Sequence, residues 1–215
     1  MSQDITIREF QRRDREDVRR ISLETAFLEK NQGNIFDNPE ILADALTMYF
    51  TDYEPLSCFV AEDNGKVVGY IIGSADAASM RRVMHRHIIP DILWKFFIDL
   101  TFLRKTNFVF LIQLLKSLFK GEFLTPEFGE KYPATLHINI DKLYRGRHLG
   151  AGLMQRYLEY LKSNNVPGVY LATYSEKAKM FFQKMGFQII FSSQRSCLKH
   201  YAGHDVSVYV FGKTL

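Results

Sequence analysis

Residues 144–165, YRGRHLGAGLMQRYLEYLKSNN, join a glycine-rich basic loop to the start of a helix. The first nine positions hold three glycines and three basic or potentially basic side chains. Glycine lets a backbone come close to a ligand, and the free N–H groups and dipole of a helix N-terminus favour negative charge. The stretch therefore predicts an anion site, with a pyrophosphate as its natural ligand. The apolar stripe of the helix consists of Leu149, Leu153, Tyr157, Leu158 and Leu161.

A simpler interpretation of the loop is purely structural. In it, Gly146 and Gly150 only make a tight turn from strand to helix, as in many α/β proteins. The loop lacks the Gly-Lys-Ser/Thr ending of a Walker A motif, and its glycine spacing is not that of a dinucleotide fingerprint. From these residues alone, both the anion site and the tight turn stay open.

Strand and helix patterns alternate along the rest of the chain. Asn64 and Gly65, between two apolar runs, form the strongest short hairpin signal available. The order predicts an α/β (α+β) fold in which a single domain, residues 1–215, holds a mixed central β-sheet flanked by helices. Strands are predicted at 4–10, 57–63, 66–76, 134–141, 169–173, 187–193 and 205–212, and helices at 14–27, 39–50, 149–164 and 175–187.

Residues 77–131 depart from this alternation and are predicted to form a helical insertion between the third and fourth strands. Within them, 80–124 is aromatic, basic and rich in leucine and isoleucine, with helices expected around 90–104 and 107–119. Charged residues interrupt every window before about twenty apolar residues accumulate, so no membrane-spanning helix is expected. We expect these helices to pack onto the domain and wall a cleft. A dimer surface and an interfacial membrane helix are the alternatives.

Charge and cysteine content narrow the function classes. A net charge of +4 suits an anionic ligand but is too weak to indicate nucleic-acid binding. Cys58 and Cys197 form no C-x-x-C pair, so neither a zinc site nor a disulfide framework is predicted. His85 and His87 stand without a cysteine or carboxylate cluster, and no metal is expected. The polar N-terminus, MSQDITIREF, is unlike a signal peptide, so we expect a cytoplasmic protein.

The pattern Arg147-x-x-Gly150-x-Gly152 resembles the Arg/Gln-x-x-Gly-x-Gly/Ala motif of the GNAT family of N-acetyltransferases. The likeness extends upstream through HINIDKLYRGRHLG and downstream to AKMFFQKMGF, which is similar to the helix that precedes the family's Gly-Phe turn. The order of elements also fits, so the resemblance covers nearly the whole chain outside 77–131. The HINI…RGRHLG…GVYL version is also similar to acetyltransferase-like domains attached to some bacterial glycoside hydrolases.

This resemblance implies an N-acetyltransferase that moves an acetyl group from acetyl-coenzyme A directly to a primary amine of a small molecule or peptide. It implies no metal, no nucleic acid and no integral membrane segment, and a homodimer is compatible with it. Ile138 and Ile140, at the end of the preceding strand, would offer main-chain groups to the pantetheine arm, because a splayed strand leaves amides and carbonyls unpaired. The implied pyrophosphate contacts come from the backbone of Arg147, His148, Leu149, Gly150, Ala151 and Gly152.

Two positions depart from the family's Asn-x-x-Ala-x-x-x-Tyr pattern. They hold Ser175 and Phe182, and the resemblance implies that both contact the cofactor. Ser175 can still cap the helix and hydrogen-bond a ligand. Phe182 cannot donate a proton, so the family's usual acid for the leaving thiolate is missing. A non-catalytic module that binds acyl-coenzyme A therefore stays open, as does an adaptor that acts through 80–124.

Candidate catalytic groups lie on both sides of the loop. Tyr174 is the proton donor nearest to Phe182 in sequence, and its simpler interpretation is an aromatic residue at the end of a strand. His137, Asn139 and Asp141 share one face of their strand because side chains alternate with a period of two. His137 is the best candidate base, since an unperturbed pKa near 6.5 suits proton removal around neutrality. A structural histidine is the alternative.

Overall fold

One seven-stranded sheet forms the centre of the protein. A computed structural model describes residues 5–26, 36–124 and 126–215. The strand order is β1-β2-β3-β4-β5-β7-β6, and neighbouring strands are antiparallel except for the parallel pair β4 and β5. The predicted mixed sheet is confirmed. The strands are β1 (Thr6–Glu9), β2 (Phe59–Asp63), β3 (Lys66–Ser74), β4 (Ala134–Ile140), β5 (Gly168–Thr173), β6 (Gln188–Arg195) and β7 (Val206–Thr214).

Helices cover both faces of this sheet, as predicted. On one face, α6 and α7 bury an apolar core against β4, β5 and β7. On the other face, α1 and α2 pack over β2 and β3. The helices are α1 (Arg15–Thr25), α2 (Pro39–Met48), α3 (Ala77–Val83), α4 (Ile89–Ile98), α5 (Lys105–Phe119), α6 (Leu149–Ser163), α7 (Glu176–Lys184) and the short α8 (Lys199–Ala202).

The tight turn between β2 and β3 follows its sequence signal. Asn64 and Gly65 both have positive φ, 50° and 81°. Two central residues with positive φ define the turn type that matches the twist of a hairpin. The predicted hairpin is therefore confirmed.

Three helices lie between β3 and β4, where a helical insertion is predicted. The expected helices at 90–104 and 107–119 correspond to α4 and α5, but α4 ends early because Leu100 adopts a left-handed conformation with φ 51°. Helix α3 is an addition to the prediction, and it continues into α4 through the π-helical turn Met84–Ile88. The bounds 77–131 of the insertion stay a prediction.

The inserted helices pack only partly onto the domain. Helix α4 contacts α2, and α5 contacts the turn Ser196–Leu198. No residue of α4 is buried, and Trp94 and Phe119 remain largely exposed. A dimer surface or an interfacial helix at this face stays a prediction. Within the described ranges, no helix is long and apolar enough to cross a membrane.

Two close approaches fix α6 against the sheet. The Tyr157 hydroxyl donates to the Thr135 carbonyl over 2.8 Å, and a Cβ at Gly73 would lie 2.2 Å from that hydroxyl oxygen. A Cβ at Gly152 would lie 2.6 Å from Cδ1 of Ile7 on β1. Both distances are below normal packing distance, so a side chain at position 73 would displace the Tyr157 ring, and one at position 152 would push the Ile7 side chain aside. The two contacts hold α6 against β1, β3 and the start of β4.

Both cysteines are free and buried. Cys58 immediately precedes β2, and its thiol donates to the Phe50 carbonyl over 3.4 Å. Cys197 lies in the 3₁₀ turn Ser196–Leu198 that follows β6, packed against Val206.

Candidate active site

The sheet opens where its two parallel strands diverge. β4 and β5 pair at only two positions, Ala134 with Val169 and Thr135 with Tyr170. Beyond Thr135, β4 continues to Ile140 while it pairs only with β3. The result is a wedge-shaped opening, the β4–β5 opening, with unpaired main chain along one side.

The hydrogen-bond register shows which main-chain groups of β4 face this opening. The Asp141 N–H donates to the Val68 carbonyl over 2.9 Å, so residue 141 points its main chain towards β3. Main-chain directions alternate along an antiparallel ladder. The N–H and C=O groups of Ile138 and Ile140 therefore face the opening, where the Ile140 carbonyl accepts from Nε of Arg145 over 3.3 Å. This is the geometry that an amide-bearing ligand needs.

The basic loop between β4 and α6 is held by its own side chains. The Asp141 carboxylate accepts the Leu143 N–H over 3.1 Å, and the Tyr144 hydroxyl donates to the Asp63 carboxylate over 2.8 Å. The Arg147 guanidinium lies 4.9 Å from the centre of the Tyr144 ring. The loop thus presents exposed positive charge from an anchored backbone.

Helix α6 begins with unpaired amides next to this loop. His148 has φ 60°, and its carbonyl accepts the N–H groups of Ala151 and Gly152 over 3.1 and 3.2 Å. Within the described part of the chain, the amides of Leu149 and Gly150 have no acceptor. Such amides and the helix dipole form an anion site. The site fits a pyrophosphate at the end of the opening.

The three loop glycines have different roles. Gly146 has φ 82°, so the tight-turn interpretation holds for it. Gly152 lies close to Ile7, and a Cβ there would be 2.6 Å from Cδ1 of that side chain. A Cβ at Gly150 would touch the Phe181 ring at 3.4 Å, an ordinary packing distance. Neither the turn nor the packing requires glycine at position 150, and its predicted contact with a ligand stays a prediction.

Two valine substitutions should separate these roles. Gly150→Val should keep the fold but weaken coenzyme A binding by about tenfold or more, on the order of 1.4 kcal/mol, because the branched side chain covers the free amides. Gly152→Val should instead lower the free energy of unfolding by about 1–3 kcal/mol through overpacking against Ile7. Calorimetric titration with coenzyme A and urea unfolding measure the two effects. A folded Gly150→Val protein with unchanged affinity would contradict the anion site.

Helix α7 has the predicted cap residue, Ser175, but its Phe182 ring is buried. The Ser175 hydroxyl accepts the Ala178 N–H over 3.3 Å, which confirms the predicted cap. Phe182 is only 5% exposed, and its ring packs on Phe187 and Phe211 at centroid distances of 5.9 and 5.7 Å. The ligand contacts predicted for Ser175 and Phe182 stay predictions, and the Phe182 ring lies within the core.

His137 and Asn139 lie on the face of β4 that turns away from α6. The His137 ring packs edge-on against Phe50, with 5.5 Å between centroids. The surrounding protein desolvates this ring and lowers the pKa of the imidazole, although the side chain still reaches solvent. The Asn139 amide donates to the hydroxyl of buried Tyr70 over 2.7 Å. His137 is thus an exposed imidazole with a lowered pKa, its role as a base stays a prediction, and Asn139 is hydrogen-bonded to the core beside it.

Tyr174 lies on the same face, across the opening. Thr135 and Tyr170 are paired, so their side chains share the face of His137, and Tyr170 and Tyr174 line one cavity there. Tyr174 is 46% exposed. Burial raises the pKa of its phenol, and the positive charge of nearby Arg195 acts in the opposite direction. Tyr174 is therefore protonated around neutral pH and able to donate.

The cavity beside Tyr174 also holds residues that the sequence did not single out for a site. It has a volume of about 360 Å³ and lies between β5, β7 and the segment after α5. Arg81, an exposed residue of α3, lies at its rim, and Arg195 lies in its wall. No local pattern marks either arginine, because their proximity depends on how α3 and β6 pack.

The protein is thus an α/β protein in which the parallel strands β4 and β5 separate. The opening between them leads to the N-terminus of helix α6. Residues 110–187, from within α5 to the end of the Gly-Phe turn, match the Acetyltransferase (GNAT) family model. The match spans β4, the basic loop, α6, β5 and α7. For these residues, the match confirms the resemblance to the GNAT acetyltransferase family that is seen in the sequence.

Solved structures share the fold over nearly the whole chain. The crystal structure of SsHAT has 23% identity and a TM-score of 0.72, with 98% of each chain covered. The polyamine N-acetyltransferase of Drosophila melanogaster, an enzyme that forms N-acetylagmatine, has 17% identity and a TM-score of 0.58, with 99% of this chain and 100% of that chain covered.

A third structure, yncA from Salmonella typhimurium with its cofactor acetyl-CoA, has 13% identity and a TM-score of 0.60. The similarity covers 99% of this chain and 94% of the yncA chain. The comparison with curated proteins gave no match. The likeness to domains attached to glycoside hydrolases stays a prediction.

Proposed function

We propose that the protein is an N-acetyltransferase that binds acetyl-coenzyme A in the β4–β5 opening and transfers the acetyl group to a primary amine. One observation carries the proposal: the outward main chain of Ile138 and Ile140 leads directly to the free amides of Leu149 and Gly150. The family match and the acetyl-CoA bound to yncA support the same co-substrate.

The protein's part in binding follows from this layout. Main-chain groups of Ile138 and Ile140 hydrogen-bond the amide-bearing pantetheine arm, as a neighbouring strand would. The free amides at the start of α6, with the exposed arginines of the loop, hold the pyrophosphate. When bound, acetyl-coenzyme A supplies an activated acetyl thioester at the mouth of the opening. The anchored loop orients that thioester towards the face that carries His137 and Tyr174.

The protein's part in the chemistry is proton transfer on that face. His137, neutral because its pKa is lowered, accepts a proton from the acceptor ammonium or from the attacking amine. Asn139, held by Tyr70, is placed to hydrogen-bond the acceptor with its free carbonyl oxygen. Tyr174, protonated around neutrality, donates its proton to the departing thiolate. A thiol pKa near 8.5 makes that thiolate a fair leaving group even before help.

The direct test combines binding and turnover. Calorimetry should show coenzyme A binding, and thiol release from acetyl-coenzyme A should rise when a primary amine from a panel is added. A protein that does not bind coenzyme A would contradict the proposal at its first step. Binding without amine-dependent thiol release would instead favour a non-catalytic acyl-coenzyme A module, for which the buried Phe182, without a hydroxyl, is the supporting observation.

Transfer should not need a cysteine nucleophile. Burial raises the pKa of the Cys58 thiol to about 12, so almost no thiolate is present at neutral pH. Cys197 lies nearer to Tyr174, but its thiol is buried against Leu198 and Val206. A protein with both Cys58→Ser and Cys197→Ser should therefore keep its turnover within about threefold, because no covalent acyl-enzyme forms. A folded double variant that has lost all transfer would refute direct attack by the amine.

A further inference from the structure

An arginine without a counter-charge lies in the wall of the cavity beside Tyr174. Arg195 ends β6 and is only 6% exposed. Its Nη1 donates to the carbonyls of Glu122 and Gln194 and to the hydroxyl of Ser193. All three acceptors are neutral. Among the described residues, the positive charge of Arg195 is thus buried without a carboxylate beside it.

Part of the guanidinium has no acceptor at all. Nε of Arg195 is buried without a hydrogen-bond partner. Across the described ranges, no carboxylate lies within ion-pair distance of it: the Glu122 side chain instead accepts the Ser196 N–H over 2.7 Å. A buried charge is costly unless it is paired. An anion that enters the cavity would supply the missing partner.

The guanidinium is also held in a fixed plane. Its Cζ lies 4.8 Å from the centre of the Phe123 ring. The three neutral acceptors fix Nη1, Nε has no acceptor among the described residues, and the guanidinium lies within hydrogen-bond reach of the Tyr174 hydroxyl. A planar, pre-oriented guanidinium matches the two oxygens of a carboxylate.

The surroundings favour a small anionic ligand. The cavity, about 360 Å³, has the size of a small-molecule site. Arg81 adds a second positive charge at its rim, Glu127 adds one negative charge, and Ala172 and Val210 supply apolar wall, so the lining keeps an excess of positive charge. Tyr174 lines the same cavity, so a ligand held there lies beside the proton donor proposed for transfer.

We propose that the acceptor amine also carries a carboxylate, and that Arg195 binds this carboxylate and so selects the acceptor. The inference rests on the proposed acetyltransferase function. It separates this protein from the Drosophila enzyme that forms N-acetylagmatine. A second positive charge, as in agmatine, would face two arginines and the single carboxylate of Glu127 in this cavity, whereas the carboxylate of an amino acid would pair with Arg195.

Matched pairs of amines test the proposal. Arginine and agmatine, histidine and histamine, and tyrosine and tyramine each offer the same amine with and without a carboxylate. For wild type, kcat/KM should be higher for the carboxylated member of at least one pair by about tenfold or more, the effect of one charge-assisted hydrogen bond. Arg195→Met should abolish that preference. Its kcat/KM for the decarboxylated amine should stay within about threefold of the wild-type value.

Two further variants guard against a merely structural effect. Arg195→Lys should retain part of the preference, because a point charge remains. Arg86→Met is the matched control: Arg86 is exposed, lies in the same basic segment as Arg81 and does not line the cavity. This control variant should leave kcat/KM unchanged for both members of each pair. Circular dichroism and coenzyme A affinity check the fold of each variant.

The outcomes separate the two proposals. Two results would overturn the carboxylate site alone. One is equal kcat/KM for both members of every pair in wild type, and the other is an Arg195→Met protein whose kcat/KM falls equally for both members. A wild type that binds coenzyme A but acetylates no amine would overturn the acetyltransferase proposal, and this inference with it. Should Arg195→Met not fold, wild-type transfer to tyramine must be inhibited by 3-(4-hydroxyphenyl)propionate and not by its amide. Inhibition by neither compound, or equally by both, would overturn the site.

Discussion

Replacing Tyr174 with phenylalanine is expected to lower the rate of acetyl transfer by up to about 10²–10⁴-fold, the range typical of a general acid. Tyr174 lines the cavity on the face of the opening that carries His137, and burial keeps its phenol protonated around neutral pH. The lost hydroxyl would leave the thiolate to depart unassisted. Coenzyme A affinity should not change, because the pyrophosphate and pantetheine sites lie on β4 and α6.

Thiol release from acetyl-coenzyme A, with calorimetric affinity in parallel, measures this effect. Tyr53→Phe is the matched control, because Tyr53 is similarly exposed, at 47%, and lies in the π-helical turn after α2. Phe182→Tyr should not rescue Tyr174→Phe, since position 182 is buried among aromatic rings and a hydroxyl there has no evident partner. Unchanged turnover in Tyr174→Phe would show that the proton reaches the thiolate another way.

The elements around the binding loop could be predicted because their signals are local. The alternation of apolar residues in β4, the apolar stripe of α6 and the cap at Ser175 depend on neighbours within a few positions. The same holds for the turn at Asn64 and Gly65. Helix α3 was missed although Asp76, which caps it by accepting the Ala78 and Ser79 N–H groups, is a local signal. Its mixed composition hides the apolar period.

The early end of α4 could not be predicted, for a physical reason. Leu100 takes a left-handed conformation, which side chains other than glycine and asparagine rarely adopt. Tertiary packing stabilises it: Thr101, the next residue, is fully buried, and its hydroxyl accepts from the Asn38 amide over 3.0 Å. A contact between residues 63 positions apart leaves no trace in the local pattern.

In the candidate site, too, some features follow from local sequence signals and others depend on tertiary packing. The anion loop and the outward main chain of Ile138 and Ile140 follow from a motif and from alternation along one strand. Arg195 does not, because its burial depends on the Glu122 carbonyl, 73 positions away. In the sequence, an arginine at the end of a strand has the appearance of an ordinary surface residue. The acceptor side of the site therefore needed the structure.

Replacing His137 with glutamine is expected to lower kcat/KM at pH 7 by about 10²-fold or more, because the neutral imidazole that accepts the proton is lost. The effect should depend on pH in a defined direction. Since desolvation lowers the pKa of His137 below 6.5, the base is present in wild type at pH 7 and above, and it is lost as the pH falls through that lowered pKa.

The ratio of wild-type to His137→Gln kcat/KM, measured from pH 5 to 9, isolates this titration. Protonation of the acceptor amine affects both proteins equally, so it cancels in the ratio. The ratio should be large and flat above about pH 7 and should fall below about pH 6.5, since only the wild type has a base to lose. His85→Gln is the control, because His85 is an exposed histidine in the π-helical turn of the insertion. It should give a ratio near one at every pH.

A His137→Gln ratio that is near one, or large but independent of pH, would contradict the role of His137 as the base. In the first case the proton leaves the amine through water. In the second case the imidazole positions the acceptor without taking its proton, since its contact with Phe50 persists in either protonation state.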